Sequence, residues 1–368
     1  MKMITRRNFM AAAAAVSAAG VLTACGGSSS SAAPASSAAP ASSAAASSEA
    51  ASSAAPASGF DGAKNIRIQF AENQPSSGSL GVEAETFAAD LLERSNGTLE
   101  LDLYFDALLG DEASVIGMIE AGAVEFTRVN LAAMQATAPE VGVLTLPYMY
   151  SSAINCYNVL NSDVGNAILD DVSAKGMKGL AFSGGHKNNE AAALSRSFYA
   201  SFPINGVADL AGKKCRVQES EVVIAMCDAL GAVATPMAYG EVFQALQTGV
   251  VDAAENDPYS YYSSGHYEVA KYYSQDRHQI SPSIYIMSEK CWNDMNDAQR
   301  EVFTECLNEY LDRCADATAE MIETAIQAAK DTGCEFIDVD TKEFQEACQP
   351  VYDRFPEYAE RIAAIQNI

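Results

Sequence analysis

The sequence predicts an α/β fold of two lobes joined by one long helix, and three observations carry that expectation. Stretches that alternate like strands take turns with stretches of helical period. A helix closed by glycine and followed by a strand occurs twice, as Val115-Ile-Gly-Met-Ile119-Glu-Ala-Gly122-Ala-Val124 and as Val242-Phe-Gln-Ala-Leu246-Gln-Thr-Gly249-Val-Val251. Residues 296–331 carry an apolar stripe too long for one small lobe: Phe303, Leu307, Tyr310, Cys314, Ala317 and Met321. A helix of that length reaches roughly 50 Å and can cross both lobes; a coiled-coil dimer seam is the other use of such a stripe. With 368 residues, 49% of them hydrophobic, the chain can fill two cores.

From the amino terminus, residues 1–25 read as a lipoprotein export signal. Lys2, Arg6 and Arg7 precede an apolar run over residues 11–24, which is short for a membrane-spanning helix. Leu22-Thr23-Ala24-Cys25 then presents Cys25 for cleavage and acylation. The run Thr5-Arg6-Arg7-Asn8-Phe9-Met10 is also similar to a twin-arginine signal. Residues 26–58 are almost only Ser, Ala and Pro, a composition that cannot bury enough apolar surface to fold and that serves as a tether. The folded part is therefore expected outside the cytoplasmic membrane, held to its outer face at Cys25.

Residues 65–70 and 98–105 alternate as strands around a helix at 81–93, which places Glu72, Asn73 and Gln74 on a strand-to-helix loop. Asp111 and Glu112 open the next helix, and Phe126-Thr127-Arg128-Val129-Asn130 follows its glycine. By the internal parallel, Arg128 and Asn130 hold the place that Glu255 and Asn256 hold after the second glycine. Gly184-Gly185-His186-Lys187 lacks the Gly-x-x-x-x-Gly-Lys-Ser/Thr of a phosphate loop, and a hinge or mobile loop is expected there. Tyr259, Tyr261 and Tyr262 could stack on a sugar ring or pack together. Residues 282–287 read as a strand, and the chain ends with a strand at 335–339 and helices from Phe344 and Ala359.

The formal net charge is -25, and about -28 if the chain starts at Cys25, which excludes nucleic acid and anionic membrane as partners. Nine cysteines show no C-x-x-C pair and no zinc spacing; most are expected as buried thiols, with Cys334–Cys348 open as a disulfide. The three histidines form no metal or hydrolase motif, so neither metal nor cofactor nor catalytic residue is expected, and an extracellular enzyme acting on sugar acids is the runner-up.

Two arginines stand at the starts of short extended runs: Ser195-Arg196-Ser197-Phe198-Tyr199, and Asp209-Leu210-Ala-Gly212-Lys-Lys-Cys-Arg216-Val217-Gln218-Glu219-Ser220. Gly231-Ala-Val-Ala-Thr-Pro236-Met237-Ala-Tyr239 and Leu246-Gln247-Thr-Gly249-Val-Val-Asp252-Ala-Ala-Glu255-Asn256 follow. Guanidinium fits a carboxylate with two parallel hydrogen bonds, and polar groups at strand ends of an open α/β sheet meet in its ligand crevice. This order of motifs resembles the solute-binding proteins of tripartite ATP-independent periplasmic (TRAP) transporters, over roughly residue 65 to the carboxyl end.

The resemblance implies a periplasmic-binding-protein-like fold, with residues 59–193 and 282–320 in lobe I and 194–281 and 321–368 in lobe II. It also implies a monomer that hands an organic acid to a membrane permease. Matched residue by residue, it puts Arg216 on the ligand carboxylate with Arg196 and Asn256 assisting and Tyr239 shielding. Specificity then varies at Glu72, Asn73, Glu112, Arg128, Asn130, Gln218 and Glu219. Glu72 and Glu219, as acceptors for hydroxyls, favour a hexuronate over a C4-dicarboxylate or a sialic acid. The departure from the family pattern is residues 186–194, which intervene between the glycines and Arg196.

Overall fold

A computed structural model describes residues 59–192 and 194–368; the export signal, Cys25 and the tether lie outside the described residues. Strands β1 (Ile66–Ala71), β2 (Leu99–Tyr104) and β3 (Phe126–Asn130) lie parallel in the order β2-β1-β3. Helices α1 (Ser79–Arg94) and α2 (Glu112–Glu120) connect them, as parallel strands require. Helices α3 (Leu131–Met134), α4 (Ala153–Leu160) and α5 (Asp163–Ser173) lead to β4 (Met177–Ser183), at the far edge of the same sheet.

The chain then builds a second sheet. It contains β5 (Ser195–Ala200), β6 (Lys214–Val217), β7 (Val233–Pro236), β8 (Ala253–Asn256) and β9 (Tyr272–Ile280). Helices α6 (Glu221–Ala229), α7 (Val242–Thr248) and α8 (Pro258–Ser263) lie between them. Strand β10 (Ser283–Ser288) returns to the first sheet, giving β2-β1-β3-β10-β4. After α9 (Glu289–Asp294) and α10 (Asp297–Asp331), β11 (Glu335–Ile337) completes β11-β9-β5-β8-β6-β7. Helices α11 (Thr341–Asp353) and α12 (Ala359–Ile365) close the chain; α12 reaches back to lobe I, where Arg361 pairs with Asp171.

The two glycine-closed units occupy equivalent places. Gly122 (φ 66°) and Gly249 (φ 72°) take the left-handed conformation that ends a helix without strain. Each following strand, β3 or β8, is flanked by one antiparallel strand, β10 or β5, with Ser283 opposite Asn130 and Ser197 opposite Asn256. The crossings between sheets run side by side. Ser183 pairs with Ser283 on one side and Ser195 with Ile280 on the other, and only Ser281-Pro282 separates β9 from β10.

Helix α10 starts with a capping box between Asn296 and Gln299. Its first half buries Phe303, Leu307, Tyr310 and Cys314 against Phe70, Phe87 and Phe126 of lobe I. Its second half buries Ala325 and Ala329, the latter among Tyr199, Tyr261 and Tyr273 of lobe II. The stripe departs from the sequence expectation beyond Cys314: Ala317 is half-buried and Met321 exposed, while Thr318 is buried. An α-helix gains about 20° per seven residues on a 3.5-residue repeat, so over 35 residues the inward face drifts to Thr318, Ala325 and Ala329. Each end of the stripe is used within the chain.

Three further expectations are corrected or resolved. Gly184-Gly185-His186-Lys187 leads from the first sheet to the second, as a hinge segment would, and rests on α10: Lys187 pairs with Asp312 at 2.8 Å and His186 with Asp316 at 2.9 Å. Gly185 sits against α4, where an added Cβ would lie 2.2 Å from the Ala153 carbonyl oxygen. The eight cysteines among the described residues are free thiols, Cys334 and Cys348 lying in different cores. Of the tyrosines, Tyr261 is core and Tyr262 stacks on Tyr267, while Tyr259 borders the cleft. No helix among the described residues is long and apolar enough to cross a membrane.

Candidate functional site

Between the sheets lies a cavity of about 510 Å³, bordered by Arg128 and Asn130 from β3, Arg196 from β5, Arg216 from β6 and Asn256 from β8. The size falls in the range of small-molecule sites. An outer groove of about 550 Å³ shares Asn73, Glu112, Arg216, Gln218 and Tyr239 with it and adds Glu219 and His266.

Each lobe neutralises one arginine internally. In lobe II the guanidinium of Arg196 is buried and donates to both carboxylate oxygens and the carbonyl of Glu255, and from Nη1 to Asn256 Oδ1 at 2.6 Å. Glu255 is fully buried; burial raises its pKa, but Arg196 and His278 outweigh that and hold it near 2. His278, 3.4 Å from Glu255, also contacts Asp276 through Nδ1 at 2.7 Å. Burial lowers its pKa, and the two carboxylates more than compensate, raising it to about 9. In lobe I, Arg128 grips Glu72 through Nε and Nη2 at 2.7 and 2.8 Å and donates from Nη1 to Ser283 Oγ.

Arg216 is different. It is 3% exposed, yet among the described residues no carboxylate pairs with it. Its Nε and Nη2 donate to the Met237 carbonyl at 3.1 and 2.8 Å, which fixes the guanidinium beside the Tyr239 ring and leaves Nη1 unused. The Pro236-Met237 turn is what supplies that carbonyl. Burial is the main force lowering the pKa of Arg216, though an arginine stays charged. Asn256 spends its Oδ1 on Arg196 and on the Asp257 N–H, and its Nδ2 makes no hydrogen bond among the described residues.

The acceptors are fewer. Gln218 is 8% exposed and its Oε1 has no hydrogen-bond partner. Glu112 accepts from the Asn130 N–H through Oε1 at 2.6 Å, and burial, the largest influence, pushes its pKa up. Asn73 accepts from the Gln74 side chain. Tyr239 bonds Ser264 through its hydroxyl and closes one wall.

The sequence expectation needs correcting at three positions. Glu72 does not border the cavity; its carboxylate is consumed by Arg128 and the Gln74 N–H, so it cannot accept ligand hydroxyls. Glu219 is exposed and borders only the outer groove. Asn130 caps α3 through Oδ1 and bonds Ser281 through Nδ2, leaving little for a ligand. Arg128 borders the cavity but spends its Nε and Nη2 on Glu72. The sequence reading passed over Glu255, Asp276 and His278 as site residues. The one available signal was an acid directly before Asn256.

Two lobes, a cleft at their strand ends, and a buried cation without a counter-ion define a receptor for small anionic solutes. The chain belongs to the bacterial extracellular solute-binding protein family 7, DctP, whose profile matches residues 70–358. It is 33% identical to a solute-binding protein of Chromohalobacter salexigens over 299 residues, 80% of this chain and 87% of that one. Among solved structures it is similar to a TRAP periplasmic solute-binding protein of C. salexigens with bound D-glucuronate, at TM-score 0.77 and 32% identity, covering 82% of this chain and 99% of that one. A second, from Xanthobacter autotrophicus with bound β-D-galacturonate, gives TM-score 0.76 and 30% identity, covering 82% and 99%.

Proposed function

We propose that this protein captures a hexuronate, glucuronate or galacturonate, by its carboxylate and delivers it to the permease of a TRAP transporter. The carrying observation is Arg216, buried in the cleft with Nη1 unused and no carboxylate of its own. A ligand carboxylate supplies the missing anion, held by Arg216 and by Asn256 Nδ2 with Arg196 behind them. Ring hydroxyls donate to Glu112, the Gln218 side chain lines the wall beside it, and Tyr239 covers the face of the site. Arg128, Asn73 and Asn130 shape the lobe I side. The two solved relatives with bound uronates support the choice of ligand.

The protein acts as a receptor rather than an enzyme in this reading. Lobe I (59–193 and 282–320) and lobe II (194–281 and 321–368) close over the ligand about the paired crossings, as one copy. The chain works outside the cytoplasmic membrane, anchored by lipid at Cys25.

A thermal-shift screen against hexuronates, aldonates, C4-dicarboxylates and sialic acid, with neutral hexoses as controls, tests the reading. A ligand at 100 times its Kd adds about 2.7 kcal/mol of stability, which a melting curve resolves. A uronate that stabilises where its hexose does not is the expected result. Stabilisation by no acid overturns it.

A further inference from the structure

The cavity extends well past the guanidinium groups. It is bordered along α10 by Asn308, Asp312, Ala315 and Thr318, whose first and last Cα atoms are about 15 Å apart along the helix. The outer groove shares Arg216, Gln218, Tyr239 and Glu112 with the cavity but none of these helix residues. The helix wall is thus the end opposite the groove. It is faced by Tyr157, Asn161 and Lys187, the last on the segment that departs from the family pattern. That segment lies against α10 through Lys187 and His186 and against α4 through Gly185, so it lines the cavity beside the helix wall.

We propose that this far end is a second sugar subsite, so that the solute is a uronate joined to a neutral sugar, an acidic disaccharide. The proposal rests on the carboxylate reading above and extends it. Its chemistry is that of a hydroxyl-rich neutral ring. The Tyr157 hydroxyl and the Asn308 amide make no hydrogen bond within the described residues, and Asn161 donates from Nδ2 to the Tyr157 carbonyl while its Oδ1 is unused. These groups offer both donors and acceptors, and the Tyr157 ring offers an apolar face. Among the described residues the lysine at this end, Lys187, is already paired with Asp312, and Asp316 adds a further acid. A second carboxylate is therefore disfavoured at this end.

Calorimetry on the purified protein decides the matter with two ligand pairs: glucuronate against glucuronosyl-xylose, and galacturonate against galacturonosyl-rhamnose, with digalacturonate as the doubly charged control. In at least one pair the disaccharide binds ten-fold or more tightly than its uronate, and digalacturonate binds more weakly than that disaccharide. Asn308→Trp, at an exposed helix position, fills the far end; it weakens the disaccharide ten-fold or more and leaves the uronate within two-fold. If the uronates bind and neither disaccharide binds as well, the second subsite is wrong and the carboxylate reading stands. If no acid of either size binds, both are wrong.

Discussion

Arg196 and Arg216 stand on either side of β8, one tied to Glu255 by three hydrogen bonds and the other tied only to the carbonyl of Met237. Two residues of the same type, both buried, carry opposite duties: Arg196 holds the site's frame and Arg216 holds its unspent charge. Truncating each separates the two.

Arg216→Ala is expected to weaken uronate binding by about 2–5 kcal/mol, since the ligand carboxylate is left buried without its partner. The ligand-free protein should melt no lower than the parent, because the change removes a buried charge that has no counter-ion. Calorimetry and a melting curve on the same sample check both halves.

Arg196→Ala should act in the other order. It strands the fully buried Glu255 carboxylate and is expected to cost about 3–5 kcal/mol of folding stability. Glu72→Ala should do likewise by stranding Arg128. Urea unfolding measures the loss, and replacing Arg196 and Glu255 together by Met should cost less than Arg196→Ala alone.

His278 predicts the alkaline limb of stability. Its pKa in the fold, about 9, lies above the usual 6.5. The stabilisation is thus complete below about pH 6.5 and disappears as pH rises through 9. The groups facing it are Asp276 on β9, Glu255 on β8 and the Phe198 ring on β5. Melting temperature of the ligand-free protein should fall between pH 7 and 10, and the fall should be shallower in His278→Gln.

The eight described cysteines are buried and free. A thiol reagent should modify none of them in the native protein within minutes and all eight after unfolding in guanidinium. Dithiothreitol should leave the melting temperature unchanged.

Much of this architecture is legible in the residues. Gly122 and Gly249 mark the repeated units because a left-handed turn after a helix selects glycine, and the arginine motifs mark the cleft. What residue types cannot tell is which charges are already spent. Glu72 looks like an acceptor for ligand until Arg128, 56 positions away, is seen to use both its oxygens. Asn130 looks like a contact until it is seen capping α3. The drift of the α10 stripe past Cys314 escapes a reading by fixed repeat, because the helix changes neighbours halfway along.

If Arg216 holds the ligand as proposed, its unbalanced guanidinium also governs what the protein refuses. A neutral hexose filling the same space would strip water from the charge and give back at most a hydroxyl, so its shape could fit while its free energy would not. Discrimination of this kind comes from a penalty on the wrong occupant as well as attraction for the right one. Amid a surrounding excess of neutral sugars, the cleft would stay open to the rarer acid.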